Sequence, residues 1–64
     1  MKKITVENMI KKHFGGDRHL VAEKAGVSTV NQVNNWVSEG RSVIELKEGG
    51  FVLLSDKVKI IEKP

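Results

Sequence analysis

The side chains with the clearest chemical meaning lie in the middle of the chain, between Gly26 and Gly40. Asn and Gln side chains recur there beside Ser and Thr, namely at Ser28, Thr29, Asn31, Gln32, Asn34 and Asn35. Asn and Gln can form two hydrogen bonds with the edge of an adenine, and Ser or Thr can bond either base of a pair. The set therefore favours base recognition in duplex DNA. The alternative is the polar face of an ordinary helix, although Asn is a poor helix former and so many amides weaken a helix.

The residues before these amides have the spacing of a helix-turn-helix. Ala22 stands four residues before Gly26, and Val27 follows the glycine directly. A small side chain at Ala22 lets two helices approach closely, Gly26 can adopt the positive φ of the corner, and Val27 can fill it. The spacing predicts two helices between Asp17 and Gly40, the second of which presents the amides.

Cationic side chains near this motif are candidates for contacts with phosphates. Arg18 and His19 fall on the first turn of the helix that follows Asp17. Backbone N–H groups and the helix dipole also favour an anion at that position. Lys12 and Lys24 are further candidates, although each is more simply explained as a solvated charge.

Catalytic and metal-binding arrangements find no support in the sequence. His13 and His19 are six apart without a paired carboxylate, and the chain has no cysteine, so a metal site is not expected. Asp17, His19 and Ser28 are the residue types of a triad, but positions two apart on a helix do not face each other. Gly49-Gly50 lacks the Lys-Ser/Thr of a phosphate-binding loop. We expect a protein that is not an enzyme and uses no cofactor.

Three helices are predicted to position these side chains. Their caps are Thr5 and Gly15-Gly16 for the first, Asp17 and Gly26 for the second, and Ser28 or Thr29 and Gly40 for the third. Their apolar faces are Val6, Met9, Ile10 and Phe14, then Leu20, Val21 and Ala25, then Val30, Val33, Trp36 and Val37. Trp36 is thus predicted to lie in the core. Val30 is left open between the core and a contact with a thymine methyl group.

After Gly40 the apolar residues alternate and are mostly β-branched, which is typical of strands. Residues 43–47 and 51–54 flank Glu48-Gly49-Gly50 and predict a hairpin. A turn centred on Glu48-Gly49 pairs Leu46 with Phe51 and Ile44 with Leu53 as the face toward the helices, and leaves Val43, Val52 and Leu54 outside. A further strand is expected at Val58–Ile61 after a bend at Ser55-Asp56, and a short edge strand at Lys2-Lys3-Ile4.

The 64 residues and the formal net charge of +3 limit the organisation of the protein. One domain over residues 1–64 is expected, with helices over about 5–40 and strands over about 42–61. Residues 1–36 hold six Lys or Arg against three Asp or Glu, which fits a helical half that faces a polyanion, although an ordinary solvated surface explains it as well. Without a membrane-spanning run or a signal peptide, a cytoplasmic protein is expected, with no membrane or small-molecule partner.

The small size also indicates self-association. Without cysteine, neither a disulfide nor a thiolate metal site can stabilise the core. The apolar outer face of the hairpin and the last strand have no obvious cover within the chain. We therefore predict a homodimer whose interface includes Val52, Leu54, Val58 and Ile60.

A more specific resemblance is carried by three stretches: the opening KITVENMIKKHFGG, the segment AEKAGVSTVNQVNNWVSEGR and the Gly-Gly hairpin. Together they resemble the Cro repressors of lambdoid bacteriophages nearly from end to end, in the α+β rather than the all-helical form. The resemblance implies a small dimer on a pseudo-palindromic operator, with the third helix in the major groove and the last strands in the dimer contact. Two third helices about 34 Å apart would then occlude a promoter.

One departure from the family pattern affects which side chains contact bases. Between Gly26 and Val33 this chain has one residue more than the usual motif. Alignment on Val33 and Trp36 assigns Val30, Asn31 and Asn35 to bases and Asn34 to a phosphate, whereas alignment on Gly26 assigns Ser28, Thr29 and Asn31. Arg41 matches a family arginine that contacts the backbone. The base candidates are Ser28, Thr29, Asn31, Gln32 and Asn35, and the backbone candidates are Arg18, His19, Asn34 and Arg41.

Two other classes of function remain open. An excisionase-like or winged-helix protein shares a DNA-reading helix and a hairpin, but a wing that enters the minor groove is basic, and the turn at residues 47–50 is not. A protein-binding module such as an anti-repressor would use the apolar hairpin face to recruit a different chain. The salt dependence of duplex affinity separates these classes, because phosphate contacts give a steep negative slope.

Overall fold

A computed structural model describes residues 2–54 and 58–64 of the chain. The elements are β1 (Lys2–Thr5), α1 (Val6–His13), α2 (Arg18–Ala25), α3 (Val30–Ser38), β2 (Ser42–Glu45), β3 (Phe51–Leu53) and β4 (Lys59–Ile61). The strands form one antiparallel sheet in the order β1-β2-β3-β4. This is the predicted α+β fold with a short N-terminal edge strand. The bend predicted at Ser55-Asp56 lies outside the described residues.

The helices begin at the predicted caps. The side chains of Thr5 and Asp17 each accept a hydrogen bond from a backbone N–H in the first turn of their helix, both at 3.1 Å. Each bond satisfies a donor that has no partner within its own helix. Gly26 ends α2 in the left-handed conformation, with φ of 71°. Of the two caps considered for α3, Thr29 is the N-cap and Ser28 precedes it.

The core lies between the three helices and the inner face of the sheet. Leu20, Val27 and Val37 are partly buried and pack against it. The buried hydrophobic side chains of the described residues are Val6, Met9, Ile10, Phe14, Val21, Ala22, Ala25, Val33, Trp36, Val43, Phe51, Leu53 and Ile61. The burial of Trp36 confirms that it is a core residue.

The register of the hairpin differs by one residue from the predicted one. Val43 pairs with Leu53, and Ile44 pairs with Val52. The predicted pairs of Leu46 with Phe51 and of Ile44 with Leu53 are therefore wrong. A shift of one residue moves each side chain of a strand to the opposite face. Val43, predicted to face outward, is accordingly 0% exposed in the core.

The turn explains this shift. The N–H of Leu46 donates to the carbonyl of Gly50 at 2.8 Å, and the N–H of Gly49 donates to the carbonyl of Leu46 at 3.0 Å. The hairpin is thus closed by Leu46 and Gly50 around a three-residue loop rather than a two-residue turn. Gly49 has φ of 100°, which suits the left-handed position of such loops. The longer loop turns Ile44 and Leu46 away from the core.

Replacement of Val43 and Ile44 by alanine tests the register. We expect Val43→Ala to lower the free energy of unfolding by about 2 kcal/mol, because it removes two buried carbons and leaves a cavity. Ile44→Ala should cost less, under about 1 kcal/mol, since its side chain lies on the outer face. Urea unfolding at several protein concentrations measures both and separates any contribution of association. A larger loss for Ile44→Ala at every concentration would support the originally predicted register.

The outer face of the sheet carries a row of paired apolar side chains. Ile44 on β2, Val52 on β3 and Ile60 on β4 are direct cross-strand neighbours. Within this row, Ile60 is 59% exposed. Next to the row, Leu54 is 41% exposed and Val58 is 78% exposed. Of the four residues predicted for a dimer interface, Val52 and Ile60 are paired on the outer face of the sheet. Leu54 and Val58 lie just beyond the ends of β3 and β4 and are exposed.

The last strand is only partly uncovered, contrary to prediction. Ile61 is 0% exposed and belongs to the core. The N–H of Glu62 donates to the carbonyl of Lys24 at 3.3 Å, so the end of β4 is attached to α2. The alternation of the strand explains the difference, because it directs Ile61 inward and its neighbour Ile60 outward.

Candidate nucleic-acid interface

Helices α2 and α3 form the corner that the sequence predicts. Gly26 donates its N–H to carbonyls of the last turn of α2, and the N–H of Val27 donates to the carbonyl of Ala22 at 3.1 Å. These bonds satisfy the carbonyls at the end of α2 and direct the chain away from its axis. Ala22 is buried, and Val27 packs against the core. The small alanine, the left-handed glycine and the packed valine thus occupy the positions that a helix-turn-helix needs.

The outward face of α3 is polar. Val33 and Trp36 are buried on one side of the helix, and Asn31 and Asn35 are exposed. Because residues four apart lie on the same face, Asn31 and Asn35 form one row on the side away from the core. The exposed base candidates extend along residues 28 to 35 and are Ser28, Thr29, Asn31, Gln32 and Asn35.

The start of α3 determines which base candidates lie on the helix. α3 begins at Val30 and buries Val33 and Trp36. Ser28 and Thr29 therefore precede the helix, and the side chain of Thr29 makes no capping hydrogen bond. Val30 is partly buried but is not one of the partly buried residues that pack against the core. Its side chain therefore remains accessible beside Asn31 at the start of the helix.

A hydrogen bond between side chains joins α2 to α3. Arg18 Nη1 donates to Asn34 Oδ1 at 2.6 Å. Arg18 is exposed at the start of α2, and Asn34 is partly buried on the flank of the polar face. His19, the next residue on α2, is also exposed. Two of the predicted backbone candidates, Arg18 and Asn34, are thus in direct contact. Nothing in the sequence indicates this pair, because its members are 16 positions apart.

Arg41 lies beyond the C-terminal end of α3. Its N–H donates to the carbonyl of Trp36 at 3.0 Å, and its carbonyl accepts from the N–H of Val6 at 2.9 Å. The partly buried Arg41 side chain donates through Nε to Glu39 Oε1 at 3.1 Å. Since an ion pair at a protein surface contributes at most about 1 kcal/mol, a phosphate can replace this carboxylate. Arg41 is therefore held by its backbone just beyond the C-terminal end of α3, whereas Arg18 contacts Asn34 in the middle of that helix.

Outside this interface, we considered the histidine contacts, metal-ligating groups and membrane-spanning helices of the described residues. His13 lies with Nε2 3.9 Å from Glu45 Oε2 and its ring centroid 5.1 Å from that of Phe51, which attaches α1 to the sheet. Over residues 2–54 and 58–64, no three His, Cys, Asp or Glu side chains come together as a metal site would require. No helix in those same ranges has the length and apolar character needed to cross a membrane.

Comparisons with family models, curated proteins and solved structures give no match to this chain. Only the geometry of the described residues therefore bears on the function of this interface. The features that bear on function are the amide row of α3, the cationic side chains Arg18 beside its middle and Arg41 beyond its C-terminal end, and the apolar outer face of the sheet.

Proposed function

We propose that the protein is a Cro-like transcriptional repressor that binds operator DNA as a homodimer, with α3 in the major groove. The observation that carries the proposal is the exposed row of Asn31 and Asn35 on a helix presented by a helix-turn-helix corner. Each amide can donate to N7 and accept from N6 of an adenine, so neighbouring base pairs can be distinguished. Ser28, Thr29 and Gln32 extend the same surface.

Cationic side chains on α2 and beyond the C-terminal end of α3 support this orientation. Arg18 and His19 lie on the first turn of α2, and Arg41 follows α3. Contacts with phosphates around a recognition helix fix its position in the groove without reading sequence. We assign Arg18, His19, Asn34 and Arg41 to the DNA backbone.

The apolar outer face supports the dimer. Val52 and Ile60 lie on that face, and Leu54 and Val58 lie next to the ends of its strands. All four are partly or largely exposed. A two-fold symmetric contact there would present two α3 helices to half-sites about 34 Å apart. With a net charge of only +3, the affinity of one protomer is small, and tight binding requires both half-sites. Bound in this way in the cytoplasm of a bacterial host, the dimer would occlude a promoter.

Substitution of Asn31 tests the function. With an operator selected by the wild type from random duplexes, we expect Asn31→Ala to weaken binding by about 1–3 kcal/mol for each half-site and to reduce the preference for that operator. Arg41→Ala is the matched comparison and should weaken selected and random duplexes alike. Binding titrations with both duplexes measure the difference. Equal losses on both duplexes for Asn31→Ala would contradict its assignment to a base.

The same apolar face also favours a second candidate, a protein-binding module such as an anti-repressor. That hypothesis requires no contact with DNA, whereas a repressor must lose duplex affinity steeply as salt rises. Binding of any duplex at low salt with such a slope supports the repressor. The absence of duplex binding at low salt would leave the protein-binding module.

A further inference from the structure

We propose that Arg18 and Asn34 form a single clamp for one phosphate of the DNA backbone, in which Arg18 is the positioning residue for the amide of Asn34. This inference rests on the proposed DNA-binding function and assigns to it a specific subsite. The clamp spans the helix-turn-helix, because Arg18 is the first residue of α2 and Asn34 lies in the middle of α3.

The hydrogen bond between the two side chains determines the orientation of the amide. Arg18 Nη1 lies 2.6 Å from Asn34 Oδ1. A guanidinium group has donors only, so the amide atom that faces Arg18 must be the oxygen. The Asn34 nitrogen therefore points away from Arg18. This orientation is set in the free protein, before any DNA is bound.

The oriented pair presents donors only. Asn34 has its oxygen occupied by Arg18 and offers the two N–H bonds of its nitrogen, and the guanidinium retains about four further N–H bonds. A phosphate oxygen accepts hydrogen bonds and carries negative charge, so it matches such a pair. An adenine edge requires an acceptor as well as a donor. The bond to Arg18 thus favours a phosphate over a base at Asn34, whereas Asn31 and Asn35 occupy the outermost row of the helix.

The positions of the two side chains agree with this division. Arg18 is exposed and Asn34 is partly buried on the flank of the polar face, which is the side of α3 that faces α2. A helix lying in the major groove has the DNA backbone along its flanks and the bases beneath its outermost row. Because the pair is already formed, a phosphate would meet an ordered site, and less conformational entropy is lost on binding.

A double-mutant cycle on the wild-type operator tests the clamp. It compares Arg18→Ala, Asn34→Ala and the double variant at a series of salt concentrations. We expect Asn34→Ala to weaken binding about tenfold for each protomer of the dimer, in line with the loss of a hydrogen bond to a charged group, and to leave the salt slope unchanged, because the amide is neutral. Arg18→Ala should weaken binding further and reduce the slope by about 0.9 per protomer. The double variant should match Arg18→Ala alone, since Asn34 contributes only when oriented.

Arg18→Lys is the conservative control, because it keeps the charge and a donor for Asn34 Oδ1. In the Arg18→Lys background, the salt slope should stay at the wild-type value and Asn34→Ala should again cost about tenfold for each protomer. An unchanged urea midpoint in each variant shows that the fold is intact, as expected for side chains at the surface.

Two results would overturn the clamp while leaving the repressor function in place. One is an equal cost of Asn34→Ala in the wild-type and Arg18→Ala backgrounds, which would show that the residues act independently. The other is a changed base preference in Asn34→Ala, which would place that amide on a base. Failure of the repressor function has a different signature, since the wild type itself would then bind no duplex at low salt.

Discussion

In the proposed dimeric repressor, the substitution Ile60→Lys is expected to convert the dimer into monomers and to lower operator affinity by about 10²–10⁴-fold. Ile60 is 59% exposed in the isolated protomer, on the outer face of β4 and directly opposite Val52. In the proposed dimer, a lysine there would bring its charge into an apolar contact. Loss of the second half-site removes the gain from simultaneous binding. Sedimentation velocity and operator titrations measure the two effects.

The sign of the added charge makes this experiment decisive. An additional lysine by itself should raise affinity for a polyanion, so a fall in affinity must come from the loss of the dimer. Asn8→Lys is the matched control, because it adds the same charge at an exposed position on α1, away from the outer face of the sheet. We expect it to remain a dimer and to bind the operator at least as well as the wild type. If Ile60→Lys still sediments as a dimer, the outer face is not the interface.

The second large effect is expected for Phe51→Ala, which should leave the protein largely unfolded. Phe51 is 1% exposed and is among the largest fully buried side chains. Its ring centroid lies 5.1 Å from that of His13 and 6.1 Å from that of Phe14. Removal of a buried phenylalanine costs about 3–5 kcal/mol. A domain of 64 residues has a total stability of about 3–10 kcal/mol, so the loss consumes much or all of it.

Circular dichroism during thermal and urea unfolding measures this loss. Val52→Ala is the matched control, because it changes the next residue of β3, whose side chain lies on the other face of the sheet. We expect Val52→Ala to remain folded, with a loss of under about 1 kcal/mol in the monomer. A folded Phe51→Ala protein with an unchanged urea midpoint would contradict the structural account of the core.

The helices and the helix-turn-helix corner could be predicted from the sequence because their causes are local. A capping bond such as that of Thr5 or Asp17 joins positions three residues apart. The helical spacing of apolar residues likewise follows from the geometry of one turn. The polar row of α3 follows from the same spacing, since burial of Val33 and Trp36 leaves Asn31 exposed on the other side.

The sheet register could not be predicted in the same way. The sequence Glu48-Gly49-Gly50 permits a two-residue turn or a three-residue loop, and the two differ by one residue in pairing. Only the packing of Val43 against the helices distinguishes them, because one register buries Val43 and the other exposes it, whereas Phe51 faces the core in both. The prediction of an apolar outer face is therefore confirmed, but Val43 lies in the core, and Ile44 rather than Val43 lies on the outer face, paired with Val52.

The features of this protein thus fall into two groups, those set by local sequence and those set by tertiary packing. Sequence alone determined the three helices, their N-caps, the corner at Gly26 and the exposed amides of α3, since each depends on contacts within a few residues of the chain, although the C-caps of α1 and α3 are Phe14 and Glu39 rather than the predicted glycines. Tertiary structure alone decided the inward side of β2, the attachment of Ile61 to the core and the bond between Arg18 and Asn34. These depend on residues distant in sequence, whose approach is selected by the packing of the whole core.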